Sequence, residues 1–264
     1  MEYKLGILGL GKMGGSILNG VLASGLYKPE DICLYTPHPE GKNIAEGIHM
    51  AKDEHEVFAS SKLILLAVKP QMYTDVLKHA EGLNFEGKAI MSLAPGKSVE
   101  YLEDIFQGAA VVRAMPNTPA SILCGTTTLY APKHDELFDM VRQVFECIGS
   151  ASILDKEEQI DEAIPLNGSM PAYLYYFAQA FINKGIEYGI DENIARQLAG
   201  SAIIGSARMI LESDESLDTL INNVCSKKGS TIEGLNRLAE QDFQKIIEDC
   251  YDACVARSKE LSKV

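Results

Sequence analysis

The sequence predicts an α/β fold, with a helix-covered open sheet in the first half and helices alone in the second. Three observations predict it. The apolar run Lys4-Leu5-Gly6-Ile7-Leu8 leads directly into Gly9-Leu10-Gly11-Lys12-Met13-Gly14 and then into a helical stripe. Short, continuous apolar runs recur through the first half, separated by helix-like stretches. From about Asp155 onward the periodicity is helical only.

The opening unit reads as strand, glycine turn and helix. Gly9 permits a tight turn, Gly11 lets the backbone approach a diphosphate, and Gly14 lets the helix pack close to the strand. Ile17, Leu18, Val21 and Leu22 form the helix's apolar stripe, and Gly25 is placed to end it. The free N–H groups and positive dipole end at the start of that helix suit a phosphate. The order is that of a Rossmann-type dinucleotide-binding domain.

Further strands are expected at Ile32-Cys33-Leu34-Tyr35, Leu63-Ile64-Leu65-Leu66-Ala67-Val68, Ala89-Ile90-Met91-Ser92-Leu93, Val111-Val112-Arg113-Ala114-Met115 and Thr126-Thr127-Thr128-Leu129-Tyr130. Runs that do not alternate belong to strands buried on both faces, so the prediction is a parallel sheet. The turns Lys69-Pro70, Ala94-Pro95-Gly96 and Met115-Pro116-Asn117-Thr118-Pro119 fall at strand C-termini, the edge that carries ligands in such sheets.

In the helical half, Pro171 suits the first turn of a helix running through Lys184, and Asp191 suits the cap of a second, Asn193 to Glu212. The second helix spaces Ala195, Ala199, Ala202, Gly205 and Ala207 along its length, a face for close packing either within the chain or between chains. Ser230 and Glu233 read as a capping box that opens another helix. A last amphipathic helix is expected from about Asp242 to Leu261. The expected division is residues 1–155 and 156–264.

Composition narrows the partners. The chain has 264 residues and a formal net charge of −13, so a nucleic-acid backbone would be repelled. No run is long and apolar enough to span a bilayer, and Met1-Glu2-Tyr3-Lys4 does not begin a signal peptide. The six cysteines are scattered with no C-x-x-C pair, which predicts reduced thiols in a cytoplasmic protein rather than a disulfide or metal framework.

The second strand bears on the cofactor. It ends Tyr35-Thr36-Pro37-His38-Pro39, with no carboxylate before Glu40 to bond the ribose hydroxyls of NADH. A hydroxyl, an imidazole and nearby Lys42 suit a 2′-phosphate, so NADPH is favoured and NADH is the alternative. The acidic stretch Asp53-Glu54-His55-Glu56 precedes the third strand and is placed to approach an adenosine.

The segment Cys225-Ser226-Lys227-Lys228-Gly229-Ser230-Thr231-Ile232-Glu233-Gly234 has two readings. It is either a well-capped helix start or a carboxylate site built from backbone N–H groups and hydroxyls. All five histidines precede Asp135, so the helical half supplies no imidazole. Reducing a ketone calls for a proton donor at the nascent alkoxide, whereas a protonated imine needs none.

On these residues the chain resembles a pyrroline-5-carboxylate reductase essentially from end to end. The matching motifs are Gly9 to Gly14, Ala67-Val68-Lys69-Pro70, Arg113-Ala114-Met115-Pro116-Asn117-Thr118-Pro119, Gly168-Ser169-Met170-Pro171-Ala172-Tyr173 and the Cys225–Gly234 loop. The resemblance implies NAD(P)H-dependent reduction of L-1-pyrroline-5-carboxylate to L-proline, with hydride delivered to the imine carbon. It implies cofactor contacts at Gly9, Gly11, Lys12, Met13, Gly14, Thr36, Ala67, Val68, Lys69 and Pro70, with Met115, Asn117 and Thr118 near the nicotinamide. Ser226, Gly229, Ser230 and Thr231 would hold the substrate carboxylate, and the Thr231 hydroxyl would also reach the ring nitrogen. It further implies that the helical half forms a substrate and dimerisation domain, in a homodimer or a larger assembly of dimers.

Two departures stand out. The family usually has Pro-Gly-Gly after the loop serine, where this chain has Lys227-Lys228-Gly229. The acidic Asp53-Glu54 pair stands where some relatives place a polar cofactor contact. A β-hydroxyacid dehydrogenase also joins a dinucleotide-binding half to helices, but it needs a lysine soon after its Gly-rich helix start. Here none occurs between Gly168 and Lys184. A non-catalytic NADP-sensing protein would bind cofactor without turning over any cyclic imine.

Overall fold

The structure is a computed structural model that describes residues 2–261, without the side chain of Pro70. The first half comprises β1 (Tyr3–Leu8), α1 (Lys12–Ser24), β2 (Ile32–Tyr35), β3 (His49–Met50), α2 (Glu54–Ser60), β4 (Ser61–Leu66) and α3 (Tyr73–Lys78). It continues with β5 (Ala89–Ser92), α4 (Val99–Ile105), β6 (Ala110–Pro116), β7 (Gly125–Tyr130), α5 (Glu136–Glu146) and β8 (Gly149–Ile153). The eight strands form one sheet in the order β3-β2-β1-β4-β5-β6-β7-β8. The strand order reverses between β1 and β4, which opens a crevice at their C-terminal ends.

Both faces of the sheet are buried, which is why its strands read as unbroken apolar runs. Along β4, Leu63 and Leu65 join Ile17, Leu18 and Val21 of α1 on one face. Ile64 and Leu66 point the other way, toward Val57 and Phe58 of α2 and toward Phe85 and Phe106. Those three phenylalanines pack as one cluster, with Phe85 and Phe106 edge-to-face at 5.0 Å between ring centres.

The expectation of a parallel sheet holds from β3 to β6 and fails beyond it. β7 runs antiparallel to β6, and β8 follows β7 in parallel. The reason is connection length. A parallel return needs a crossover of about a dozen residues or more, and residues 117–124 form only a short 3-10 turn. The strand expected through Val68 ends at Leu66, leaving Ala67 and Val68 in the turn. β3 and β8 were not expected: β3 is two residues long, and β8 (Gly-Ser-Ala-Ser-Ile) carries little apolar signal.

The helices of the second half are α6 (Gln159–Glu162), α7 (Met170–Glu187), α8 (Glu192–Glu212), α9 (Leu217–Val224), α10 (Ser230–Glu240) and α11 (Phe243–Leu261). Pro171 lies in the first turn of α7, and the Asp191 carboxylate accepts the Asn193 and Ile194 amides at the start of α8. The chain divides into two compact units. One runs through Pro171 and resumes at Cys254; the other is Ala172–Ala253. In the first, buried Arg113 on β6 pairs with Glu157 at 2.9 Å and Asp161 at 4.0 Å, and Asp161 accepts from Ser258 at 2.8 Å. That chain of contacts ties the end of α11 and the α6 turn to the sheet.

The second unit, taken by itself, buries little. Ala195 is its one buried apolar residue, while Tyr176 is 79% and Leu211 84% exposed. Apolar surface on this scale marks an interaction face. No helix among the described residues is long and apolar enough to cross a membrane, and all six cysteines are unpaired.

Candidate functional site

The crevice is built on glycines. Gly9 leaves β1 in a left-handed conformation (φ 96°), its N–H donating to the Tyr35 carbonyl at 2.9 Å. A Cβ on Gly9 would lie 2.8 Å from the Ala67 carbonyl oxygen, and one on Gly14 would lie 2.3 Å from the Gly9 oxygen. Both glycines are therefore required by backbone packing. Gly11 differs: a Cβ there would meet nothing within 4 Å, so the turn opens onto free space beside the first amides of α1. This is the cradle a diphosphate needs. Lys12 is exposed and Met13 half-buried in the first turn of α1, and the turn holds no acidic residue.

The other predicted cofactor positions border the same edge. Thr36 is buried directly after β2. Ala67 and Val68 are half-buried in the turn after β4, followed by exposed Lys69. Pro70 begins a 3-10 turn, and its side chain lies outside the described residues. That edge is anchored by Tyr73, whose hydroxyl reaches the Leu66 carbonyl at 3.3 Å and Ser92 Oγ at 3.0 Å. Burial pushes the Tyr73 phenol far above its ordinary pKa, so it remains a neutral donor.

At the C-terminal end of β6, Met115 is half-buried, Asn117 buried and Thr118 exposed. Asn117 is fully engaged. Its Nδ2 donates to Thr126 Oγ1 at 3.0 Å and to the Asn167 carbonyl at 3.2 Å, and its Oδ1 accepts the Thr126 amide at 2.9 Å. Asn167 Nδ2 in turn donates to the Met115 carbonyl. Asn167 thus supports the tip of β6 from 50 residues away, and no local motif marks it in the sequence. The acidic stretch before β4 has structural duties. Asp53 caps α2 through the Glu56 amide, and Glu56 accepts from the Lys52 amide and from His49. The Lys52 amide, then His49, hold the Glu56 carboxyl below the usual carboxylate range.

In the second unit, α10 begins where expected but without the expected capping box. Gly229 is the N-cap, Ser230 is the first helical residue, and no side chain caps the helix. The cause lies in the preceding loop. The Gly229 N–H closes a turn onto the Ser226 carbonyl at 3.0 Å, with Lys228 left-handed at φ 61°. Lys228 holds this left-handed conformation at a cost of about 1 kcal/mol. Ser226, Ser230 and Thr231 are exposed around these amides. Helices α2, α4, α5, α8 and α9 each carry an Asp or Ser cap. By contrast α1 and α10 start on glycine with no side-chain cap, leaving their amides for an outside acceptor.

Residues 157–261 match the family description "Pyrroline-5-carboxylate reductase dimerisation". Residues 4–96 match "NADP oxidoreductase coenzyme F420-dependent". The chain is 33% identical over 272 residues to pyrroline-5-carboxylate reductase of Escherichia coli K12, covering all of both chains. The chain belongs to the pyrroline-5-carboxylate reductase family. Among solved reductases, that of Coxiella burnetii superimposes with a TM-score of 0.89 at 28% identity, covering 100% of each chain. The Plasmodium falciparum enzyme, solved with NADP bound, gives 0.85 at 25% identity and covers 98% of each.

The two family glycines predict different failures. Gly11→Ala has room to fold, so its melting temperature should match wild type while dinucleotide binding falls by at least tenfold in calorimetry. Gly14→Ala must displace the Gly9 carbonyl, so its melting temperature should drop. Equal loss of stability in both variants would contradict the open cradle at Gly11.

Proposed function

We propose that this chain reduces L-1-pyrroline-5-carboxylate to L-proline, the final step of proline biosynthesis, with NADPH as the preferred reductant and NADH as a poorer one. The observation that carries the reading is the pair of glycine-started, uncapped helices in a chain that aligns with such a reductase over that enzyme's whole length. One suits a diphosphate and the other a carboxylate.

NADPH, when bound, supplies the hydride. The chain's own residues bind and orient. Gly9, Gly11, Lys12, Met13 and Gly14 hold the diphosphate, Thr36 the ribose end, and Ala67, Val68, Lys69 and Pro70 the length of the cofactor. Met115, Asn117 and Thr118 border the nicotinamide, with Asn117 held rigid by Thr126 and Asn167. The amides of Gly229, Ser230 and Thr231 and the Ser226 hydroxyl clasp the carboxylate, and the Thr231 hydroxyl accepts the N–H of the protonated imine.

As hydride adds to the imine carbon, the C=N π pair moves to a nitrogen that already carries its proton. No acid from the chain is required, which fits a helical half without histidine. Catalysis is then positioning and electrostatics.

The division is a dinucleotide-binding domain over 1–155 and a substrate and dimerisation domain over 156–264. The exposed apolar side chains of α7 and α8 support a homodimer or a larger assembly of dimers, and the unpaired thiols fit a cytoplasmic setting.

Two measurements test this. Thr231→Ala should lower kcat/KM for pyrroline-5-carboxylate by about 10 to 100-fold, the worth of one hydrogen bond to a charged group; unchanged kinetics would remove Thr231 from the site. Light scattering at micromolar concentration should give at least twice the mass of one chain, and a monomer would contradict the dimer.

A further inference from the structure

Lys42, near the end of the second strand in sequence, is brought by the fold to the glycine turn. After β2 the chain makes a turn in which the Lys42 amide donates to the Pro39 carbonyl at 3.1 Å, with Gly41 left-handed at φ 71°. The Lys42 side chain then runs back, and its Nζ donates to the carbonyl of Leu10, inside the glycine turn. Leu10 sits beside the end of β2 because the Gly9 N–H is bonded to the Tyr35 carbonyl at 2.9 Å. Lys42 is half-buried, and among the described residues it has no carboxylate partner.

In this fold the space between the second-strand end and the glycine turn takes the adenosine ribose. The segment after the second strand supplies buried Thr36 and the Lys42 ammonium, with no carboxylate from Thr36 to Pro39; Glu54 and Asp53 act electrostatically on Tyr35 at the strand end. We propose that Lys42 reads the 2′-phosphate of NADPH, using the Leu10 carbonyl as the rest that holds its ammonium in place. The carbonyl satisfies one of three N–H donors, leaving two for phosphate oxygens. The inference rests on NADPH being the reductant, but it concerns binding and can be read without turnover.

The experiment is calorimetric titration of the full-length protein and of Lys42→Met and Lys42→Arg with adenosine 2′,5′-bisphosphate and with 5′-AMP. Lys42→Met should weaken the bisphosphate by about 10 to 100-fold and change 5′-AMP by less than about twofold. Lys42→Arg, which keeps the charge, should retain most of the preference for the bisphosphate. Equal weakening of both nucleotides would overturn the proposal, since Lys42 would then act through the Leu10 turn or the 5′-phosphate. No change in Lys42→Met would overturn it as well. A wild-type protein that preferred the bisphosphate through Lys42 yet failed to reduce pyrroline-5-carboxylate would uphold Lys42 and remove the proposed activity.

Discussion

The contact between Gly9 and the carbonyl of Ala67 sets the geometry of the sheet half. A side chain at Gly9 would sit 2.8 Å from that oxygen, so only glycine lets β1 and the turn after β4 close on each other at the switch point. With φ at 96°, the same residue aims its N–H at Tyr35 and turns the chain into α1. Gly14 then packs onto the Gly9 carbonyl. The result is a helix whose first amides open onto vacant space at Gly11. Cofactor chemistry begins as a packing constraint.

Five helices close on a side-chain oxygen of their own, while two begin on glycine without one. Asp53, Ser98, Asp135, Asp191 and Ser216 close their own helices with side-chain oxygens. Each such cap stabilises by about 1 kcal/mol. α1 and α10 forgo it and begin on Gly11 and Gly229. An acidic protein can hold anionic ligands by this means. Oriented amides and a few lysines act at contact distance, while the net charge acts across screened solvent.

The sheet was legible where burial on both faces produced unbroken apolar runs, as in Leu63 to Leu66. It was not legible at β8, whose Ser150 and Ser152 pair with β7 through backbone alone. The reversal of β7 is written in the shortness of residues 117–124, a signal of connection length and not of periodicity. Ser230 and Glu233 matched a capping pattern, but the left-handed Lys228 moved the cap onto Gly229. Asp53 and Glu56 read as candidate cofactor contacts because sequence does not reveal that their oxygens are already taken by α2 and His49. Asn167 and Tyr73 act through partners distant in sequence, and only the fold brings them to the strand tips.

If the proposed site is right, amides opening a C-terminal helix clasp a cyclic imino acid against the nicotinamide. A crystal structure of the assembled protein with NADPH and a proline analogue tests it most directly. The analogue's carboxylate should lie on the Ser230 and Thr231 amides, with nicotinamide C4 about 3–3.5 Å from the ring carbon next to nitrogen. A carboxylate bound elsewhere, or a nicotinamide out of reach of that ring in every subunit, would contradict it.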